Sequence, residues 1–286
     1  MVDVEQAVHP PVTPEVAQAV RSVEPRPWAQ EVGALARRWF IQLSRDRLNL
    51  VFSVCQPALW LVFFGSGIER AVNARVIGTS NYIGFMLPGV ISLTVVTNAV
   101  SGAMPMLWDK ETGYLDKLLS MPIARSSLIV SRFVFQFALG CAQVVLVFVV
   151  AVIIGAGIAA GPFGAIAILV VAGVLSMAST AVFMGLAYRV PTHGTFFAIT
   201  GFVTLPLVFM SNAFVPVDAM PTWMAVVARL NPLTYAIEAM RILVLEGWRV
   251  RVASSFGVLV LFAAACLAVG TYEFRRHTGQ RVDERR

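Results

Sequence analysis

The sequence predicts an all-α polytopic membrane protein, and three observations carry that prediction. The first is composition. Of 286 residues, 58% are hydrophobic and 13% charged, with mean hydropathy +0.76, whereas a soluble domain carries about 45–50% apolar and about 25% charged residues. A surface this apolar needs lipid to cover it. The second is the spacing of charge. Val76 to Trp108 and Phe133 to Tyr188 are runs of 33 and 56 residues without Asp, Glu, Lys or Arg, lengths that suit one and two helical crossings of a hydrocarbon core about 30 Å thick. The third is the charged island between those runs, WDKETGYLDKLLSMPIARSSLIVSR, in which Leu115, Leu118 and Leu119 form a short helical stripe among Asp109, Lys110, Glu111, Asp116 and Lys117.

Taken in order, residues 1–27 hold Pro10, Pro11, Pro14, Pro25 and Pro27 with no apolar run, and read as a disordered cytoplasmic tail without a cleavable signal peptide. From Trp28 to Arg47 the apolar residues Trp28, Val32, Leu35, Trp39 and Leu43 recur at helical spacing beside Glu31, Arg37, Arg38, Arg45 and Arg47. This pattern predicts a basic amphipathic helix in the membrane interface, with a helix facing solvent as the alternative. Six spans follow, at about 48–68, 82–108, 131–156, 162–188, 194–214 and 252–272. Pro57 should kink the first, where Gln56 needs a polar partner or a water-lined surface. The 56-residue run breaks at Gly155 to Gly164, with Pro162 placed to start the returning helix.

The segment between the last two spans, residues 215–251, is apolar and periodic. It predicts two short re-entrant helices, one starting at Met220–Pro221 and one near Thr234, interrupted by Asn231–Pro232. Glu238 and Arg241 are read as an i, i+3 pair there. Within the island, Gly113 relaxes the backbone, Pro122 ends the helix that Leu115 begins, and Ser126 or Ser127 caps the next. A basic tail, residues 276–286, closes the chain.

Basic residues orient these spans. With the N-terminus inside, the cytoplasmic pieces hold 16 Lys and Arg and the outer pieces 6, so the island and both termini are expected in the cytoplasm. The same bias accounts for the net charge of +6 without nucleic acid as a partner.

Several chemistries lack their residues. There is no G-x-x-x-x-G-K-S/T phosphate loop and no H-E-x-x-H. Gly155 to Ala160 formally fits G-x-G-x-x-A, but it follows a helix rather than a strand and reads as a turn. His9, His193 and His277 lie far apart, so no metal site is expected, and Cys55, Cys141 and Cys266 read as isolated packing residues. With Arg132 counted as the last residue of the island, no ionisable side chain falls inside a span, which argues against an ion-driven antiporter. Energy for any transport must then come from outside this chain.

The chain resembles the membrane-domain subunits of type-two ABC exporters, close to the daunorubicin-resistance-like drug permeases of actinobacteria. The resemblance covers about residues 28–275, the expected transmembrane domain. It rests on the order of six spans, on DKETGYLDKLLSMPIARSS with Glu111, Gly113, Leu115, Asp116 and Pro122, and on MPTWMAVVARLNPLTYAIEAMR with Pro221, Asn231, Pro232, Tyr235 and Arg241. Tyr114 stands where Thr is frequent in that family. The resemblance implies that the island is a coupling helix docking into a separate ATPase subunit, which would carry the ATP and Mg; that the interfacial helix also touches the ATPase; and that two permease subunits assemble in a bacterial plasma membrane.

On that reading Glu111, Asp116 and Lys117 make polar contacts with the ATPase, and Leu115, Leu118 and Leu119 supply an apolar face. An outer gate is assigned to Pro221, Asn231, Pro232, Tyr235, Glu238 and Arg241. Gln56, Asn98, Phe135, Gln136, Phe202 and Phe209 are candidates for a translocation cavity. The expected function is export of a hydrophobic or amphipathic drug, antibiotic or lipid. Export of lipid-linked polysaccharide is an alternative, as is a non-transporting membrane scaffold; an intramembrane enzyme lacks the paired His/Asp or Ser/His it would need.

Overall fold

A computed structural model of the chain describes residues 27–67, 81–114, 117 and 124–283, and among them every regular element is helical. The bundle is organised on α3 (Tyr82–Glu111), the most enclosed of the long helices. Around it pack α2 (Arg47–Gly67), α4 (Arg125–Ile153), α5 (Gly161–Arg189) and α8 (Pro232–Leu245). At 30 residues α3 extends about 45 Å. Its start is capped by Asn81, whose side chain accepts the Gly84 amide at 2.8 Å. Inside it, Thr94 and Thr97 return their hydroxyls to the carbonyls of Val90 and Leu93, which satisfies polar atoms without a partner helix.

Among the described residues, four helical stretches are long and apolar enough to cross a membrane: Tyr82–Glu111, Ser126–Ile153, Gly161–Arg189 and Val250–Gly270. The chain is thus a multi-pass membrane protein. Where the first span is expected the chain forms α2, a 21-residue helix with Pro57 inside it, which is not one of these four. The fifth differs from expectation. Rather than running to Phe214, α6 (His193–Phe209) stops after 17 residues. The Asn231 side chain donates to the carbonyls of Leu207 at 2.6 Å and Met210 at 3.3 Å, so the end of the helix is satisfied from outside.

α4 and α5 form an antiparallel pair joined through Ile154–Ala160, where Gly155 takes φ 92, a conformation open to glycine. The same turn donates the amides of Ala159 and Ala160 to the carbonyls of Val244 and Leu243, closing the C-terminal end of α8. Of the two helices expected to dip into the membrane, α7 (Thr222–Leu230) exposes Trp223, Val226, Val227 and Leu230. By contrast, α8 is a core element: Ala236, Ile237, Ala239, Met240 and Leu243 are fully buried. It begins at Pro232, two residues before the expected Thr234. Last, α9 (Val250–Asp283) continues as one helix through most of the expected basic tail.

The amphipathic segment forms α1 (Trp28–Arg45), which buries Val32, Ala36 and Trp39 against α4. Asp46 breaks the chain between α1 and α2.

Candidate functional site

Residues of the island end of α3 are held by three other parts of the chain. Glu111, three residues past the uncharged run, accepts the His193 amide through Oε1 at 2.9 Å and meets His193 Nδ1 through Oε2 at 2.6 Å. His193 opens α6, so the carboxylate also faces the positive end of a helix dipole. The backbone and side-chain hydrogen bonds from His193 hold the Glu111 carboxyl below its ordinary value. One residue earlier, Lys110 Nζ donates to the carbonyls of Tyr188 at 2.8 Å and Val190 at 3.0 Å, at the end of α5.

α1 grips both ends of the island. On the entry side, Arg38 lies 3.9 Å from Asp109 and 4.8 Å from the Tyr114 ring. On the exit side, Trp28 Nε1 donates to Ser126 Oγ at 3.0 Å, and Glu31 accepts the Ala124 amide at 3.1 Å. Neither serine caps α4 as expected: Ser126 turns to Trp28, while Ser127 donates to the Ala124 carbonyl, and Ala124 is the N-cap. Gly113 does adopt the left-handed conformation, at φ 70, which ends α3 after Thr112.

Beside this end of the bundle, between α1, α2, α3 and α4, is a cavity of about 220 Å³. Four residues singled out from the sequence line it together: Gln56, Asn98, Phe135 and Gln136. Gln136 donates to the Asn98 carbonyl at 2.5 Å, tying α4 to α3. Arg132 also lines it, with its guanidinium 3.4 Å over the Trp39 ring. Expected at the end of a loop, Arg132 instead lies two turns inside α4 and is 6% exposed. The correction has a simple origin: α4 starts at Arg125, because no proline or glycine separates Arg125 from Arg132. Phe202 and Phe209 are not part of this cavity; Phe202 is exposed, and Phe209 stacks on Phe214 at 5.4 Å.

At the opposite end of α3, Asn231 accepts the Leu233 amide at 3.0 Å and caps α8. Pro232 occupies the first turn of that helix and Pro221 is the N-cap of α7. The Tyr235 hydroxyl donates to the Arg229 carbonyl at 2.8 Å. Glu238 does act on the Arg241 charge, as expected, but each side chain makes its hydrogen bonds elsewhere. Arg241 donates to the carbonyls of Phe85, Asn212 and Ala213 and lies 3.8 Å over the Phe85 ring. Glu238 pairs with Arg251 at 2.7 Å and accepts from Ser255. A fork of five donors on a planar head suits three carbonyls better than one carboxylate a turn away.

Comparison with known proteins decides what kind of molecule carries this geometry. The family described as ABC-2 type transporter matches residues 30–245. The chain belongs to that family. It is 36% identical over 218 residues to the ycf38 transport permease of Porphyra purpurea, covering 74% of this chain and 73% of that one. It is 27% identical over 244 residues to the inner membrane transport permease YadH of Escherichia coli, covering 83% and 89%. A daunorubicin resistance ABC transporter permease protein, DrrB1 of Streptomyces coeruleorubidus, is 27% identical over 197 residues, with 68% of each chain covered.

In this ABC-2 type transporter permease the residues expected to carry the island's contacts divide. Glu111, Gly113 and Lys117 are described, whereas Leu115, Asp116, Leu118, Leu119 and Pro122 lie outside the described residues. Sequence reading overlooked His193 and Arg132. A lone loop histidine carries no signal by itself. Arg132 does: it stands at i, i+3, i+4 and i+7 from Phe135, Gln136 and Leu139, all of which line the cavity, so helical period extended back from the two cavity candidates reaches it.

Proposed function

We propose that this permease is the membrane subunit of an ATP-driven exporter of a hydrophobic or amphipathic compound, a drug, antibiotic or lipid, drawn from the cytoplasm or inner leaflet. The observation that carries this reading is the double attachment of α1: Arg38 to Asp109 and Tyr114 on the entry side of the island, Trp28 and Glu31 to Ser126 and Ala124 on its exit side. A force on the island is thereby passed to α1, and Trp39, Gln42 and Leu43 of α1 form one wall of the cavity. ABC-2 permeases normally work with an ABC ATPase. In this reading a separate ATPase subunit binds ATP and Mg and docks on Glu111 to Pro122, and two permease subunits assemble. Six spans then cross the membrane, α2 and α6 included, with both termini cytoplasmic and tails at 1–27 and 276–286. The mixed polar and apolar lining of the cavity supports an amphipathic cargo, and the daunorubicin resistance name of one relative supports a drug. The second end of the bundle, around Asn231 and Arg241, acts as an outer gate.

Asp116→Ala combined with Leu118→Ala tests the docking surface. The variant should remain monodisperse in detergent yet lose co-purification with the ATPase and ATP-dependent export; export at the wild-type rate would refute the assignment.

A further inference from the structure

The cavity between α1, α2, α3 and α4 holds a charge that its surroundings do not fully use. Arg132 is 6% exposed, and its Nη2 is a buried donor without a hydrogen-bond partner. A charged donor left unmatched away from water is costly, more so than a neutral one. Its nearest compensation is partial: the Trp39 face at 3.4 Å attracts the cation but accepts no in-plane hydrogen bond. Asp109 acts on it electrostatically, yet that carboxylate also faces Arg38 at 3.9 Å, so two cations share one anion. A second carboxylate, Asp46, lines the cavity from the break between α1 and α2.

We propose that this cavity is a binding site for the oxyanion head group of a membrane amphiphile, with a phosphate-type oxygen accepting from Arg132 Nη2. Arginine suits such a group because its planar fork matches phosphate and carboxylate oxygens. The amides of Gln42, Gln56 and Gln136 on the same walls offer further donors and acceptors to the remainder of the head. A lipid rather than a free anion is indicated by what adjoins the cavity. Leu43 and Phe52 line it where α1 meets α2, and Leu48, Val51, Phe52, Leu59 and Phe63 leave an apolar surface exposed along α2. An acyl chain laid there keeps its contact with lipid while its head reaches Arg132. Calling this occupant the cargo rests on the transport reading above; the binding site itself does not.

The test uses the purified full chain in micelles of a maltoside detergent, which brings no oxyanion of its own, without an ATPase. Labelled phosphatidylglycerol, diacylglycerol of the same chain length, and inorganic phosphate are titrated against wild type, Arg132→Gln, Arg132→Lys and Ser101→Phe. Ser101 lines the cavity from α3, and a phenylalanine there fills the space while leaving the Arg132 side chain itself in place. Wild type should bind phosphatidylglycerol saturably, about tenfold or more tighter than diacylglycerol, as a hydrogen bond to a desolvated charge implies. Arg132→Gln and Ser101→Phe should each lose that preference, and Arg132→Lys should keep part of it. Equal binding of phosphatidylglycerol and diacylglycerol, or an unchanged preference in a folded Ser101→Phe, overturns the proposal. Phosphate alone binding as tightly as the lipid overturns the lipid as its source. Because no ATPase is present, a negative result here leaves the docking experiment on Asp116 and Leu118 untouched, and the converse holds.

Discussion

The carboxylate of Glu111 closes a two-point clasp on His193, one oxygen at 2.9 Å from the amide and the other at 2.6 Å from Nδ1. The two residues are 82 positions apart, and they lock the end of α3 to the start of α6. Trp108 adds an edge-on ring contact with His193 at 5.5 Å. The island is therefore rooted on its entry side before any partner binds.

This clasp has a pH signature whose sign follows from linkage. Glu111 has a folded pKa depressed below its ordinary 4.5, so it contributes stability that is fully present above 4.5 and is lost as pH falls through the depressed folded value. Thermal unfolding of wild type and Glu111→Gln in detergent should differ at neutral pH and converge in acid below the carboxylate range. A difference that stays constant down to pH 3 would exclude the clasp as its cause.

Arg241 offers a test at the other end of α3. Its guanidinium gathers three carbonyls from two segments, Phe85 on α3 and Asn212 and Ala213 after α6. Arg241→Met should destabilise the protein by roughly 2–3 kcal/mol, since partly buried carbonyls lose charged donors. Arg241→Lys should recover only a fraction, because an ammonium lacks the planar fork. Guanidine-free thermal unfolding of the three proteins, read by intrinsic tryptophan fluorescence, gives the ranking.

Asn231 does two jobs with one side chain. Its oxygen caps α8 by accepting from Leu233, and its nitrogen donates to Leu207 and Met210 at the end of α6. Asn231→Ala should cost roughly 2 kcal/mol, about one for the cap and about one for the lost donor. Asn231→Asp retains the cap but turns a buried carboxylate oxygen toward the carbonyls of Leu207 and Met210, so its unfolding temperature should fall well below that of wild type. Equality of Asp with wild type would show that the α6 contacts contribute nothing.

Much of the architecture was legible without coordinates. The helical elements follow from uncharged run lengths, and the break at Asn231–Pro232 follows from proline chemistry, because both are local properties. The cavity was half legible. Gln56, Asn98 and Gln136 were found as polar residues in apolar sequence, and α2, α3 and α4 do bring them to one space. Phe202 and Phe209 were not distinguishable from them, since an aromatic residue in an apolar helix looks the same whether it faces lipid or a cavity. The hydrogen-bond partners of Glu238 and Arg241 escape the sequence for a related reason. Spacing of i, i+3 makes two side chains neighbours on one helix, yet three carbonyls from α3 and the end of α6 compete for the same guanidinium.

What the sequence determined by itself is the solvent this chain requires, the helical class of its elements and the charged island between its second and third apolar stretches. These depend on composition and on periods of a few residues, which burial and hydrogen bonding impose locally. Only the tertiary structure decided which groups meet: Glu111 with His193, α1 with both ends of the island, and Arg132 with Trp39 on the wall of a cavity. Those pairings cross many tens of residues, and each is chosen by how helices pack around α3 rather than by any spacing along the chain.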